Sequence, residues 1–134
     1  NGIAASFVES ADSINHAMPR FVAQRALNLV DSSVISPNVL ILGVAYKPEV
    51  GDVRETPVSE LRDYLKIQGV DVAWHDPLVA TWEGTSPVDL DWNCDIAILA
   101  TNQPGMDISR LIENGVQILD CTNSMSGEFG VVPL

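Results

Sequence analysis

Residues 39–56 read VLILGVAYKPEVGDVRET, and the fold is decided in this stretch. Val39, Leu40, Ile41, Leu42, Val44 and Ala45 form a nearly unbroken apolar run, the pattern of a strand covered on both faces in a parallel sheet. Such a strand delivers its following loop to the carboxyl end of the sheet, where open α/β sheets bind ligands. The loop carries Lys47, Pro48, Gly51, Asp52 and Arg54, too polar for a core. Two cations between a strand end and a helix start suit an anion, and a phosphate or diphosphate is the natural guest.

Working outward, Thr56 is the expected cap of the next helix, with Pro57 in its first turn. Val58, Leu61 and Leu65 point inward, and the helix stops near Gly69. Further strands are expected over 70–75, 95–100 and 116–121, with a short helix over 107–114. Strands alternating with helices predict an α/β fold, a Rossmann-like parallel sheet with flanking helices and right-handed crossovers. Residues 78–93, with Gly84, Pro87 and scattered acids, predict a loop and one helical turn. Ahead of the sheet, Ala11, Ile14, Met18, Phe21, Val22, Ala26, Leu29 and Val30 recur at helical spacing and predict a long amphipathic helix over 9–30. Pro19 either kinks it or opens a second helix. The expected division is a helical arm over 1–35 and a Rossmann-like domain over 36–134.

A chain of 134 residues is long enough to bury one core without disulfides or metal. Seven Lys plus Arg face eighteen Asp plus Glu, a balance that opposes binding to nucleic acid or to an anionic membrane surface. Any phosphate site must therefore be local. Cys94 and Cys121 have no metal-ligand spacing, and no apolar run reaches the ~20 residues of a membrane span. No signal peptide is visible at the start, so a reducing, soluble, cytoplasmic setting is expected.

The run GVAYKPEVGDVRETP over 43–57, followed by a helix and then Trp74-His75-Asp76-Pro77, resembles the carboxy-terminal, UDP-binding domain of the UDP-glucose/GDP-mannose dehydrogenase family. Upstream, Ile14-Asn15-His16-Ala17-Met18-Pro19-Arg20 and the helix after it resemble the tail of that family's central, dimer-forming helical region. Together the two matches cover most of the chain. The resemblance implies a UDP- or GDP-sugar ligand whose diphosphate meets Lys47, and a homodimer through the amino-terminal helix. For the whole enzyme it implies a two-step, NAD-dependent oxidation of a sugar primary alcohol to a uronic acid through a cysteine thioester. The family's catalytic cysteine lies in a glycine-rich motif before the helix that here starts near Glu9, and no counterpart is present. With no initiator methionine either, the chain is expected to be a portion of such an enzyme, catalytically silent alone, with NAD bound by a missing amino-terminal domain.

With that resemblance, the expected substrate-binding set is Tyr46, Lys47 and Arg54, with no catalytic, cofactor or metal residues assigned. A lysine just beyond a buried strand lays its methylenes on the sheet edge and puts its ammonium on a phosphate. The bland alternative is a solvated loop lysine. Arg54 has two neighbouring carboxylates, Asp52 and Glu55, that compete for its guanidinium, so an ion pair that fixes the loop weighs slightly more than an anion contact. Gly43 and Gly51 read as backbone devices, one for close strand-to-helix packing and one for a turn with positive φ. The G-x-G-x-x-G fingerprint and the Walker pattern are both missing, so the nicotinamide cofactor is not expected here in the usual manner. Asp76 reads as a turn-former before Pro77, and His75 has no obvious partner. The cysteines read as inert small hydrophobes. Two departures from the family pattern stand out: Asp120-Cys121-Thr122-Asn123, where relatives often carry an arginine, and Thr101-Asn102-Gln103-Pro104-Gly105, where they often show a histidine and an aromatic. A non-catalytic Rossmann-like binding or interaction module is the alternative, and it predicts no nucleotide-sugar binding.

Overall fold

The apolar run forms β1 (Asn38–Leu42), which lies inside the sheet between β2 (Asp71–His75) and β3 (Ile96–Leu99). β4 (Gln117–Asp120) and β5 (Val131–Pro133) follow, giving the order β2-β1-β3-β4-β5 with every pairing parallel. The computed structural model describes residues 17–54, 56–122, 125 and 130–134. The expected Rossmann-like α/β architecture is present. The direction of winding across the sheet reverses at β1: the first crossover leads to β2 on one side and the second to β3 on the other. This places a topological switch point at the carboxyl ends of β1 and β3.

Both faces of β1 are buried, as its composition requires. Val39 and Ile41 join Ile96, Ile98 and Leu119 under α1 (Ala17–Leu29) and α2 (Val58–Ile67). Leu40 and Leu42 join Ala97, Leu99 and Ile118 on the other face, under Leu90 and the α3 (Ser109–Glu113) residue Leu111. Burying one such aliphatic side chain contributes about 1.5–3 kcal/mol, so the central strand anchors both layers. α2 supplies Val58, Leu61 and Leu65 as expected, and α1 supplies Met18, Val22, Ala23 and Ala26. Pro19 lies in the first described turn of α1. The predicted helical residues 9–16 lie outside the described residues.

Several local details differ from expectation. β1 stops at Leu42 because Gly43 turns the chain with φ +79°, and Val44 and Ala45 are buried as loop, not strand. β5 was not expected. Its three residues are too few to show a period, and Pro133 is tolerated because it sits on an edge strand. Between β2 and β3 the expected helical turn gives way to turns and an isolated antiparallel bridge, Trp82 to Thr85. Trp82 explains this: its ring is buried edge-on to Trp74 at 5.8 Å, with the Arg62 guanidinium 4.5 Å from its centroid. An aromatic anchor holds the segment where a helix would otherwise be needed.

The glycine expectations are corrected. It is Gly43 that takes positive φ, and a Cβ there would stand 1.9 Å from the Thr101 carbonyl oxygen, so the close approach is to the loop after β3 and not to a helix. Gly51 is outside the positive-φ set, and its Cβ position is blocked instead by the Leu78 carbonyl at 2.5 Å. Gly43→Ala is expected to cost about 3–4 kcal/mol, since backbone strain and a backbone clash combine. Gly115→Ala, at φ +81° with open space around it, should cost about 1–2 kcal/mol from strain alone. Urea unfolding midpoints measure both, and equal costs would show that the Thr101 contact does not constrain the turn.

Candidate functional site

At the carboxyl end of β1 the chain turns at Gly43 and enters a loop whose base is closed by the Tyr46 N–H donating to the Asp52 carbonyl at 2.8 Å. Tyr46, Lys47, Val50, Asp52 and Arg54 line an open hollow of about 430 Å³ on this loop. The structure thus brings Tyr46, Lys47 and Arg54 to one place, beside the β1/β3 switch point. Lys47 is exposed, and among the described residues its ammonium makes no hydrogen bond or ion pair. Arg54 is held by Asp52 in a fork, Nε to Oδ1 at 3.0 Å and Nη2 to Oδ2 at 2.9 Å. The Arg54 side chain, and after it the Arg54 backbone N–H, hold the Asp52 carboxyl down to about 2. With Arg54 87% exposed, the pair orients the loop more than it stabilises the fold.

Asp76 does far more than form a turn. It is 1% exposed, and its Oδ2 accepts the Val44 N–H at 2.9 Å and the Ala45 N–H at 3.2 Å. Oδ1 accepts the Leu78 N–H at 2.9 Å, the expected turn contact, and Oδ2 also accepts a Gln103 Nε2 hydrogen at 3.1 Å. A dinucleotide held at this crossover would need a β2-terminal acid free for ribose hydroxyls. Asp76 is committed inward, and the turn at Gly43 is packed against Thr101, so these residues do not fit NAD.

Other sequence readings resolve in the same region. His75 has a partner after all: its Nδ1 lies 2.7 Å from the Val88 carbonyl and donates to it, a pairing hidden in the sequence because Val88 belongs to the irregular segment. Burial, and then Asp120, push the Cys121 thiol up. Burial, and then Asp95, push Cys94 up to about 11. Neither thiol is set up as a nucleophile. Asp120, at the end of β4, accepts the Thr122 N–H at 2.8 Å and the Met125 N–H at 2.8 Å, an anchor of the same kind as Asp76. Gln103 was noted in the sequence only as a departure from the family pattern, yet it is 2% exposed and bonded to the Lys47 loop. Its sole sequence signal was an amide just past a buried strand. Among the described residues no group of three or more His, Cys, Asp or Glu side chains could hold a metal, and no helix is long and apolar enough to cross a membrane.

The fold and the hollow define a doubly wound α/β domain that presents a lysine-bearing loop at its ligand-binding end. Residues 40–125 match the model of the UDP-glucose/GDP-mannose dehydrogenase family, UDP binding domain. The chain belongs to this family. It is 32% identical over 80 residues to the UDP-N-acetyl-D-mannosamine dehydrogenase of Methanococcus aeolicus, a match that spans 59% of this chain and 18% of that protein. Among solved structures, it resembles the UDP-glucose dehydrogenase of Pyrobaculum islandicum, with TM-score 0.61 and 27% identity over 81% of this chain and 27% of that one. It also shares the fold of the NDP-N-acetyl-D-galactosaminuronic acid dehydrogenase of Methanosarcina mazei, with TM-score 0.71 and 23% identity over 90% of this chain and 29% of that one. The chain therefore spans about a fifth of the curated relative and under a third of either solved chain.

The Asp52–Arg54 fork makes a pH prediction. Because the folded carboxyl is held below its unfolded value of about 3.9, the pairing is fully present above that value and is lost as pH falls toward about 2. A carboxyl-detected NMR titration should place the Asp52 midpoint near 2 in the wild-type chain, and Arg54→Ala should move it up toward about 3.9. A wild-type midpoint already at the unfolded value would mean that the fork does not persist in solution.

Proposed function

We propose that this chain is the nucleotide-sugar-binding, carboxy-terminal part of an NAD-dependent nucleotide-sugar 6-dehydrogenase, and that Lys47, Tyr46 and Arg54 hold the diphosphate of a UDP- or GDP-sugar. The observation that carries this reading is the Lys47 ammonium on the hollow at the switch point, without a hydrogen-bond or ion-pair partner among the described residues. An ammonium there meets a diphosphate as a point charge, while Tyr46 and the forked Arg54 line the same hollow. The relatives, a UDP-N-acetyl-D-mannosamine dehydrogenase and a UDP-glucose dehydrogenase, support a UDP-sugar over a GDP-sugar. In the whole enzyme, NAD and the nucleophilic cysteine belong to the remaining portion, and this part closes over the diphosphate to orient the sugar. The helical arm over 1–35 contributes to a homodimer, and the setting is cytoplasmic. By itself the chain binds nucleotide sugar weakly and has no turnover.

Titrating UDP into the chain by calorimetry or NMR tests the reading. Lys47→Ala should weaken UDP binding by roughly 1.5–3 kcal/mol, the range for a hydrogen bond to a charged group. Arg54→Ala serves as the comparison: an anion contact lowers affinity, whereas a loop-fixing pair mainly alters loop order. UDP affinity unchanged by Lys47→Ala in a folded protein would place the diphosphate elsewhere. Absence of any UDP binding would favour the non-catalytic module.

A further inference from the structure

We infer that Gln103 is the positioning residue of the Lys47 loop, an inference that rests on the diphosphate reading above and specifies what makes that loop competent. Glu49 carries a side chain at φ +69°, a left-handed backbone that non-glycine residues rarely adopt. Gln103 imposes it. Its Oε1 accepts the Glu49 N–H at 2.7 Å, and its Nε2 donates to the Val50 carbonyl at 2.8 Å, so one amide grips both ends of a two-residue unit. The second Nε2 hydrogen reaches Asp76 Oδ2 at 3.1 Å, which ties the grip to the buried anchor of the sheet. Among the described residues no other side chain hydrogen-bonds to the backbone of residues 47–50.

The requirement for an amide follows from the donor and acceptor pattern. The three partners call for one acceptor and two donors at a single side-chain terminus, and the primary amide is the group that supplies them. Turning the amide over would set its oxygen against the Val50 and Asp76 oxygens and its NH2 against the Glu49 N–H, so the network dictates the orientation. Thr101, two residues earlier, adds a bond of the same sense, its hydroxyl donating to the Ala45 carbonyl at 3.0 Å. The turn after β3 thereby shapes the anion loop after β1, across the switch point. Gln103 stays 2% exposed and acts through Lys47, whose place two residues before Glu49 puts it on the rim of the hollow.

The test is amide-resolved NMR of the 134-residue chain titrated with UDP, comparing wild type, Lys47→Ala and Gln103→Met. Gln103→Met keeps the bulk and removes the amide. The expected result is an upfield shift of the Glu49 amide proton, changes confined to the loop and its partners, and a fivefold to tenfold weaker UDP affinity, about the worth of one hydrogen bond. If Lys47→Ala weakens UDP while a folded Gln103→Met binds like wild type, the positioning role is overturned and the diphosphate reading survives. If Lys47→Ala changes nothing, or wild type does not bind UDP, both fall together. Should Gln103→Met not fold, Gln103→Glu decides. It sets a carboxyl against Asp76 that regains a donor only on taking up a proton, so its UDP affinity relative to wild type should climb as pH falls. Lys47, Glu49, Asp52, Arg54, His75 and UDP itself are common to both proteins, so a pH-dependent ratio reports the coupled carboxyl pair that Gln103→Glu creates with Asp76. A flat ratio across pH would overturn the role.

Discussion

The carboxyl end of the sheet is organised by one buried carboxylate, that of Asp76. A carboxylate 1% exposed is prohibitively costly unless donors surround it, and here four converge: the N–H groups of Val44, Ala45 and Leu78 and the Gln103 amide. Those donors come from the loop after β1, the turn after β2 and the turn after β3. Meeting this demand aligns three strand ends at once. It also bends the chain at Gly43, where any Cβ would strike the Thr101 backbone, and it starts the loop that carries Lys47 outward.

That geometry explains how an acidic chain presents a cationic hollow. A formal net charge of -11 repels polyanions at long range, but screening over about 8 Å at physiological ionic strength leaves short-range arrangement to decide what binds. In the hollow, Asp52 neutralises and orients Arg54, whereas Lys47 has no carboxylate partner among the described residues. The uncompensated charge is therefore placed at one point, on a loop whose base is closed by backbone and whose crown is gripped by Gln103. The two thiols are pushed up by burial and by neighbouring carboxylates, so neither is set up as a nucleophile.

Much of this is legible in the sequence. A short run apolar on both faces and bounded by turn residues is the pattern of an interior strand of a covered sheet, so residues 39–42 announced β1 and the parallel architecture with it. Thr56 and Pro57 marked the start of α2, and the Thr56 hydroxyl does accept the Val58 N–H, at 3.3 Å. That Tyr46, Lys47 and Arg54 share one hollow was readable because they follow directly on that strand, within a few residues of one another, where local chain geometry alone keeps them close. The Asp52–Arg54 fork was readable for the same reason.

What the tertiary structure decided are the contacts between residues far apart in sequence. Asp76 looked like a turn residue because its local partner, Leu78, is two positions away, while Val44, Ala45 and Gln103 lie roughly thirty positions off in either direction. Gln103 lies 54 positions from Glu49, and no periodicity or propensity encodes such a pairing. β5 and the Trp82 anchor were silent for a related reason: a three-residue strand and a single buried ring acquire meaning only from the surface they cover. Local order follows from nearest-neighbour sterics and burial patterns written along the chain. Long-range polar satisfaction follows from which strand ends the sheet brings together, and it is this that sets the path of the Lys47 loop.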